Sequence, residues 1–241
     1  MQKVGSIRVA VITGATGGIG SAIARSLSAA GYGLVLNAPS NEKLCVLRAQ
    51  LAGPCVAVAG NLRAESMPQT LLDAALESFG RCDVCFNNSG LLEAGSIAAL
   101  DIERVCNMAR VNVEGAFRMA YTFLQHFVAQ GSGHLVNTSF ALSQRLQPAA
   151  GAYAATKYAV EALSEALRLE LSGTEVRISC VEPGRVRTGL HGRWEEPPAE
   201  AAGAGDPFAP AVLARMVLYA LEMPLRTATP PVVEEPALAS A

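Results

Sequence analysis

Apolar residues come in short dense blocks, separated by longer stretches with helical spacing. Residues 7–12 (IRVAVI) form a β-rich apolar run, and TGATGGIG follows at once. From Ser21 the run SAIARSLSAAG repeats its apolar positions as one helix face does and stops at Gly31. GLVLN predicts a second strand, and NEKLCVLRAQLAG a second helix again closed by glycine. VAVAGN is a third strand, AESMPQTLLDAALESFG a third helix, and CDVCFNN a fourth strand running into Ser89 and Gly90. IERVCNMARVNVEGAFRMAYTFLQHFVAQ predicts one long helix, HLVNTS a fifth strand and YAATKYAVEALSEALRLELSG a strongly periodic helix. VRISCVEPG is a sixth strand, PAVLARMVLYALEM a last helix, and PPVVEEPALASA an edge strand with a tail.

Strand and helix alternate throughout, and the strands are nearly continuous apolar runs. Both features predict an α/β fold: a doubly wound parallel sheet covered on its two faces. Within residues 7–190 no repeat or linker interrupts the pattern, so the 241 residues predict a single domain. Residues 195–207 (EEPPAEAAGAGDP) are rich in Pro, Gly and Ala without periodicity and predict a mobile loop.

Composition narrows the function. The net charge is −2 and no basic block occurs, which argues against nucleic acid or an anionic membrane as the main partner. No run of 18 apolar residues occurs, and MQKVGSIRVAVITG lacks the apolar region of a signal peptide, so a cytoplasmic location is expected. The 6 cysteines include a C-x-x-C at Cys82 and Cys85. Redox or zinc chemistry would need exposed thiolates or a second ligand pair, and the spacing supplies neither. Two small apolar residues at a strand start explain it better, and no metal site is predicted.

The turn between the first strand and first helix carries Gly14, Gly18 and Gly20 as T-G-x-x-x-G-x-G. Such a turn lets backbone amides approach a pyrophosphate that the helix N-terminus then stabilises. TGATGGIG, NNSG at 87–90, Asn112 in VNVEG, YAATK at 153–157 and PGRVRT at 183–188 together resemble the short-chain dehydrogenase/reductase family, in its order and spacing over about residues 7–225. The resemblance implies a Rossmann fold of about seven strands, a nicotinamide cofactor, and hydride exchange between a hydroxyl and a carbonyl. It assigns Gly14, Thr16, Gly18, Ile19 and Gly20 to the cofactor's phosphates, and Asn61, Leu62, Asn88, Ser89 and Gly90 to its adenosine half. Pro183, Gly184, Val186 and Thr188 resemble the segment packed on the nicotinamide.

Cofactor choice rests on the end of the second strand, where an acid favours NAD and a basic residue NADP. Ala38 and Pro39 stand there and carry neither signal. Without an acid nothing repels a 2′-phosphate, and Ser40, Asn41 or Lys43 could donate to it; against that, Thr16 and Gly17 stand where NADP-using relatives often carry a basic residue. The balance leans to NADP(H) over NAD(H).

Tyr153 and Lys157 lie at i and i+4 on one helix face. A tyrosine of pKa about 10 is a poor base at neutral pH, and a nearby ammonium lowers that value. In the family this pair is the acid/base, Lys157 also holds the nicotinamide ribose, and Asn112 helps hold a water that links the lysine to solvent. An Asn inside an apolar helix favours a polar partner in any case. The family's carbonyl-polarising serine usually stands thirteen positions before the tyrosine, where this chain has Phe140. Ser139 should point to the opposite face from residue 140. Losing one donor to a developing oxyanion costs about 3 kcal/mol. Three outcomes stay open: Ser143, or Ser139 at a bulge, supplies the hydroxyl; Phe140 packs against an apolar or aromatic substrate; or the chain is a catalytically impaired nucleotide-binding subunit of a hetero-oligomer.

Helices 102–129 and 153–172 are apolar on more than one face, and in the family such helices build a dimer or tetramer. A homodimer or homotetramer acting on a small or carrier-bound carbonyl compound is therefore expected. Residues 189–207 would form the substrate lid, with His191, Arg193 and Trp194 as its distinctive side chains; His191, Trp194 and Phe140 are the residues expected to face substrate. The chain end loosely resembles the 3-hydroxy acid dehydrogenase branch.

Overall fold

A computed structural model describes residues 7–140, 148–183, 186, 209–223 and 232–234. Seven strands form one sheet: β1 (Val9–Ile12), β2 (Gly33–Ala38), β3 (Cys55–Ala59), β4 (Val84–Asn87), β5 (Gly133–Thr138), β6 (Val176–Pro183) and β7 (Val232–Glu234). Their order is β3-β2-β1-β4-β5-β6-β7, and every pairing is parallel. The chain winds outward from β1 to β3, returns to β4 beside β1, and winds outward again. The strand order reverses between β1 and β4, and the crevice beyond their carboxyl ends is where such a sheet holds its ligands.

Helices α1 (Gly18–Ala29), α2 (Asn41–Arg48), α3 (Met67–Phe79), α4 (Ile102–Ala109), α5 (Ala116–Gln130), α6 (Gly151–Glu170) and α7 (Pro210–Glu222) cover the faces. One core packs Ile23, Leu27 and Val217 of α1 and α7 against Ile12, Leu36 and Phe86. The other packs Leu71, Phe123 and Leu167 of α3, α5 and α6 against Val11, Val35 and Leu135. Alternate residues of β1 enter opposite cores, which is why its strand is apolar at every position. Cys82 and Cys85 are wholly buried, and burial pushes the Cys82 thiol up to about 12 and that of Cys85 well above its ordinary value. They are packing residues.

Two expected boundaries move. The second helix ends at Arg48, capped at Ala49, rather than running on to Gly53. Gly53 instead donates its amide to Ser28 Oγ at 3.1 Å, tying the loop to α1. The single long helix expected from Ile102 is interrupted by a π-helical segment, Arg110–Gly115, between α4 and α5. A π segment inserts extra backbone into a helix and re-aims its side chains, and Asn112 sits within it.

Candidate active site

The glycine-rich turn follows β1 directly. Gly14 takes φ +62°, and a Cβ there would stand 3.1 Å from Asn88 Nδ2 and from the Ser89 backbone. A Cβ on Gly20 would fall 2.2 Å from the Gly14 carbonyl, so only glycine lets α1 start this close to the turn. Gly17 caps α1 without a side-chain bond and no acid lies in its first turn, leaving the N-terminal amides of Gly18, Ile19 and Gly20 to an anion. Thr13 closes the crevice from below: its Oγ1 accepts from the amides of Asn88 at 2.9 Å and Ser89 at 3.0 Å, while Asn88 Nδ2 donates to its carbonyl at 3.1 Å. Thr13 opens the TGATGGIG motif, but its role as the stitch between β1 and β4 depends on topology.

Around the adenosine half, Ala38 is buried at the end of β2, and Ser40 caps α2 by accepting from the Lys43 amide at 3.3 Å. Asn61 accepts from the Arg63 amide at 3.0 Å, and Leu62 is buried against α3 and α5. Thr16, Ser21, Arg25, Lys43 and Gln50 help line a cavity of about 250 Å³ between α1 and α2. The donor set fits a dinucleotide: a glycine turn that a Cβ would obstruct, free helix amides, and polar side chains beyond.

Tyr153 and Lys157 project from the first two turns of α6, both nearly buried. Lys157 Nζ donates to the Thr138 carbonyl at 2.9 Å and stands 5.8 Å from the Tyr153 ring centroid. Burial raises the Tyr153 phenol above its ordinary value. It lowers Lys157 to about 8, with Cys180 and Glu161 pulling the other way. The expected lowering of Tyr153 by the ammonium is therefore outweighed by desolvation.

Asn112 is buried rather than a surface amide. Its Oδ1 accepts from the Leu91 amide at 2.8 Å, and its Nδ2 donates to the Leu91 carbonyl at 2.8 Å and to Thr156 Oγ1 at 3.1 Å. It thereby fixes the segment after β4 to α6. Gly90 lies between the two elements: a Cβ on it would stand 3.5 Å from Asn112 Oδ1 and 3.6 Å from Lys157 Nζ.

Phe140 packs with Leu92, Met108 and Tyr153 in a small apolar cluster. Ser139 points away from it, as strand alternation requires: its hydroxyl bonds the Glu161 carboxylate and lies 3.5 Å from the Lys157 carbonyl. The structure thus does not bring Ser139 to the Tyr153 face. Pro183 ends β6 and Val186 is buried beside it. Ser143, Gly184, Thr188, His191, Arg193 and Trp194 lie outside the described residues. Among the described residues no cluster could hold a metal ion, and no helix is long and apolar enough to cross a membrane.

The sequence profile of the short chain dehydrogenase family matches residues 8–199. An uncharacterized oxidoreductase of Staphylococcus epidermidis is 32% identical over 181 residues, which are 75% of this chain and 79% of that protein. Among solved structures, an alcohol dehydrogenase of the archaeon Thermococcus sibiricus complexed with 5-hydroxy-NADP superposes with TM-score 0.83 at 29% identity, covering 98% of this chain and 99% of that one. A metagenomic short-chain oxidoreductase in complex with NADP superposes with TM-score 0.81 at 27% identity, covering 97% and 100%.

Proposed function

The chain belongs to the short chain dehydrogenase family, and on that premise we propose that it is an NAD(P)-dependent oxidoreductase interconverting a carbonyl and a hydroxyl group. The observation that carries this is the buried Tyr153–Lys157 pair on α6, with Lys157 across Gly90 from Asn112, and a glycine turn that packs on Asn88 and Ser89 of the same segment. The bound nicotinamide supplies the hydride in reduction and takes it in oxidation. Tyr153 gives its proton to the substrate oxygen in one direction and removes it in the other. Its phenol is protonated at neutral pH, and burial raises it further, so a proton is available to donate. Lys157, cationic below about 8, supports the phenolate left behind. Asn112, through its clamp on Leu91 and Thr156, fixes the segment after β4 against the helix that carries Lys157.

Phe140 makes the wall beside Tyr153 apolar, so the substrate carries an apolar or aromatic group next to its carbonyl and gains no serine hydroxyl from position 140. NADP(H) is favoured: Ala38 and Pro39 present no acid, and Thr16, Arg25 and Lys43 offer donors in one cavity, against the single carboxylate of Glu42. NADP bound to the metagenomic relative and 5-hydroxy-NADP bound to the archaeal one support the same choice. Ile102, Tyr121, Val128 and Leu169 are exposed on α4, α5 and α6, and they support association of like chains through these helices; a 25.1 kDa monomer in solution would contradict this. The function is tested by following NADPH and NADH oxidation with a panel of aryl ketones, diketones and keto acids. Turnover of an apolar carbonyl with NADPH supports it, and absence of both turnover and cofactor binding overturns it.

A further inference from the structure

Three consecutive residues at the end of β5 hold three successive turns of α6. The Phe140 ring meets Tyr153, the Thr138 carbonyl holds Lys157 Nζ, and the Ser139 hydroxyl holds the Glu161 carboxylate. Tyr153, Lys157 and Glu161 stand at i, i+4 and i+8, so they form one stripe along the helix. The Ser139 end is itself fixed: its amide donates to the Val181 carbonyl at 2.8 Å, and the side chain is buried. Two of the three contacts, Lys157–Thr138 and Ser139–Glu161, are charge-assisted and so stronger than neutral hydrogen bonds, and Ser139–Glu161 is the one between two side chains. On its outer side Glu161 lines a cavity of about 340 Å³. Tyr158, Glu165 and Arg168 of α6 and Cys180 and Glu182 of β6 share that lining.

We propose that Glu161 is a positioning residue for the reaction: anchored on Ser139, it fixes the rotation and height of α6 on β5, and so the placement of Lys157 and Tyr153 in the site. The inference rests on Tyr153 and Lys157 being the acid/base pair. Neither Ser139 nor Glu161 touches the reacting atoms in this role. The groups that act on Lys157 against its desolvation are Cys180 of β6 and Glu161 one turn further along α6, and Glu161 is the carboxylate of the two. Removing it leaves the ammonium less supported, so the geometry and the charge of Glu161 can be separated by substitution.

The test compares Glu161→Ala, Glu161→Gln and Ser139→Ala, with Tyr153→Phe as reference, each checked for folding by circular dichroism. Rate against pH and NADPH binding by fluorescence are measured for each. Glu161→Ala should lower kcat/KM about tenfold, Ser139→Ala similarly, and the double variant should lose less than the product of the two, because the Ser139–Glu161 bond is common to both. Glu161→Gln, whose amide oxygen still accepts from Ser139, should lose less than Glu161→Ala while the alkaline limb of its pH profile moves to lower pH. If Tyr153→Phe is inactive but Glu161→Ala and Ser139→Ala keep the parent rate and pH profile, the positioning role is overturned. If Tyr153→Phe remains active, the acid/base assignment falls instead.

Discussion

The ring of Phe140 stands edge-on to the ring of Tyr153, with centroids 5.4 Å apart and planes at 68°. That geometry is a favourable aromatic contact, and with Leu92 and Met108 it makes the surroundings of the tyrosine ring apolar. The proposed proton donor therefore has an apolar neighbour.

Phe140→Ser tests whether that neighbour limits the chemistry. A hydroxyl at residue 140 adds an oxyanion donor, and each such donor is worth about a hundredfold in rate. Turnover of small ketones lacking a bulky group should rise at least tenfold, while that of aryl ketones rises less because their apolar contact is lost. The variant should also be less stable by about 3 kcal/mol, from the space left in the Leu92–Met108 cluster. Unchanged selectivity between the two substrate classes would show that Phe140 does not face substrate.

Asn112→Ala removes a three-bond clamp and leaves the Leu91 amide and carbonyl without it. Each buried group left unpaired costs on the order of 1–3 kcal/mol. Urea unfolding should show a loss of about 3 kcal/mol, and a loss under 0.5 kcal/mol would mean that water replaces the clamp fully.

His134 gives a pH dependence far from the active site. It is buried on β5, with Nε2 2.8 Å from Ser179 Oγ, and burial with the nearby Arg177 and Arg8 lowers it from 6.5 to about 3. The unfolded chain therefore binds a proton that the folded chain refuses between pH 6.5 and 3. Stability is fully present above pH 6.5 and falls as pH drops through that window, by at most about 1.4 kcal/mol per unit. His134→Gln should flatten the dependence of unfolding free energy between pH 7 and 5. An equal slope in the variant would place the acid sensitivity elsewhere.

Lys43 offers a test of cofactor choice. It lines the α1–α2 cavity with Thr16 and Ser21 and stands in the first turn of the helix that follows β2. Lys43→Ala should weaken NADPH binding about tenfold and leave NADH binding within twofold, read by protein fluorescence titration. Equal effects on both cofactors would remove Lys43 from the 2′-phosphate site.

Much of this was legible in local sequence. The glycine turn, the Tyr153–Lys157 spacing and the apolar strand runs each depend on residues close together in the chain. Phe140 could be counted from Tyr153, and the opposite aim of Ser139 followed from strand alternation. What could not be read depends on neighbours distant in sequence. Thr13 stitches β1 to β4 across 75 residues, and Ser139 finds Glu161 across 22. Apolar spacing could not distinguish one long helix from α4 and α5 joined by a π segment, because all three segments place side chains at nearly helical intervals. Burial reversed the expected sign at Tyr153, since desolvation depends on packing that no motif records.

The central claim is that Tyr153 carries the proton while NADPH carries the hydride. Its most direct test is single-turnover reduction of an apolar ketone by NADPH, in the parent and in Tyr153→Phe, with cofactor binding measured in both. The account predicts that the variant binds NADPH within threefold of the parent and reduces the ketone at least a thousandfold more slowly. Equal single-turnover rates in the two proteins would contradict it.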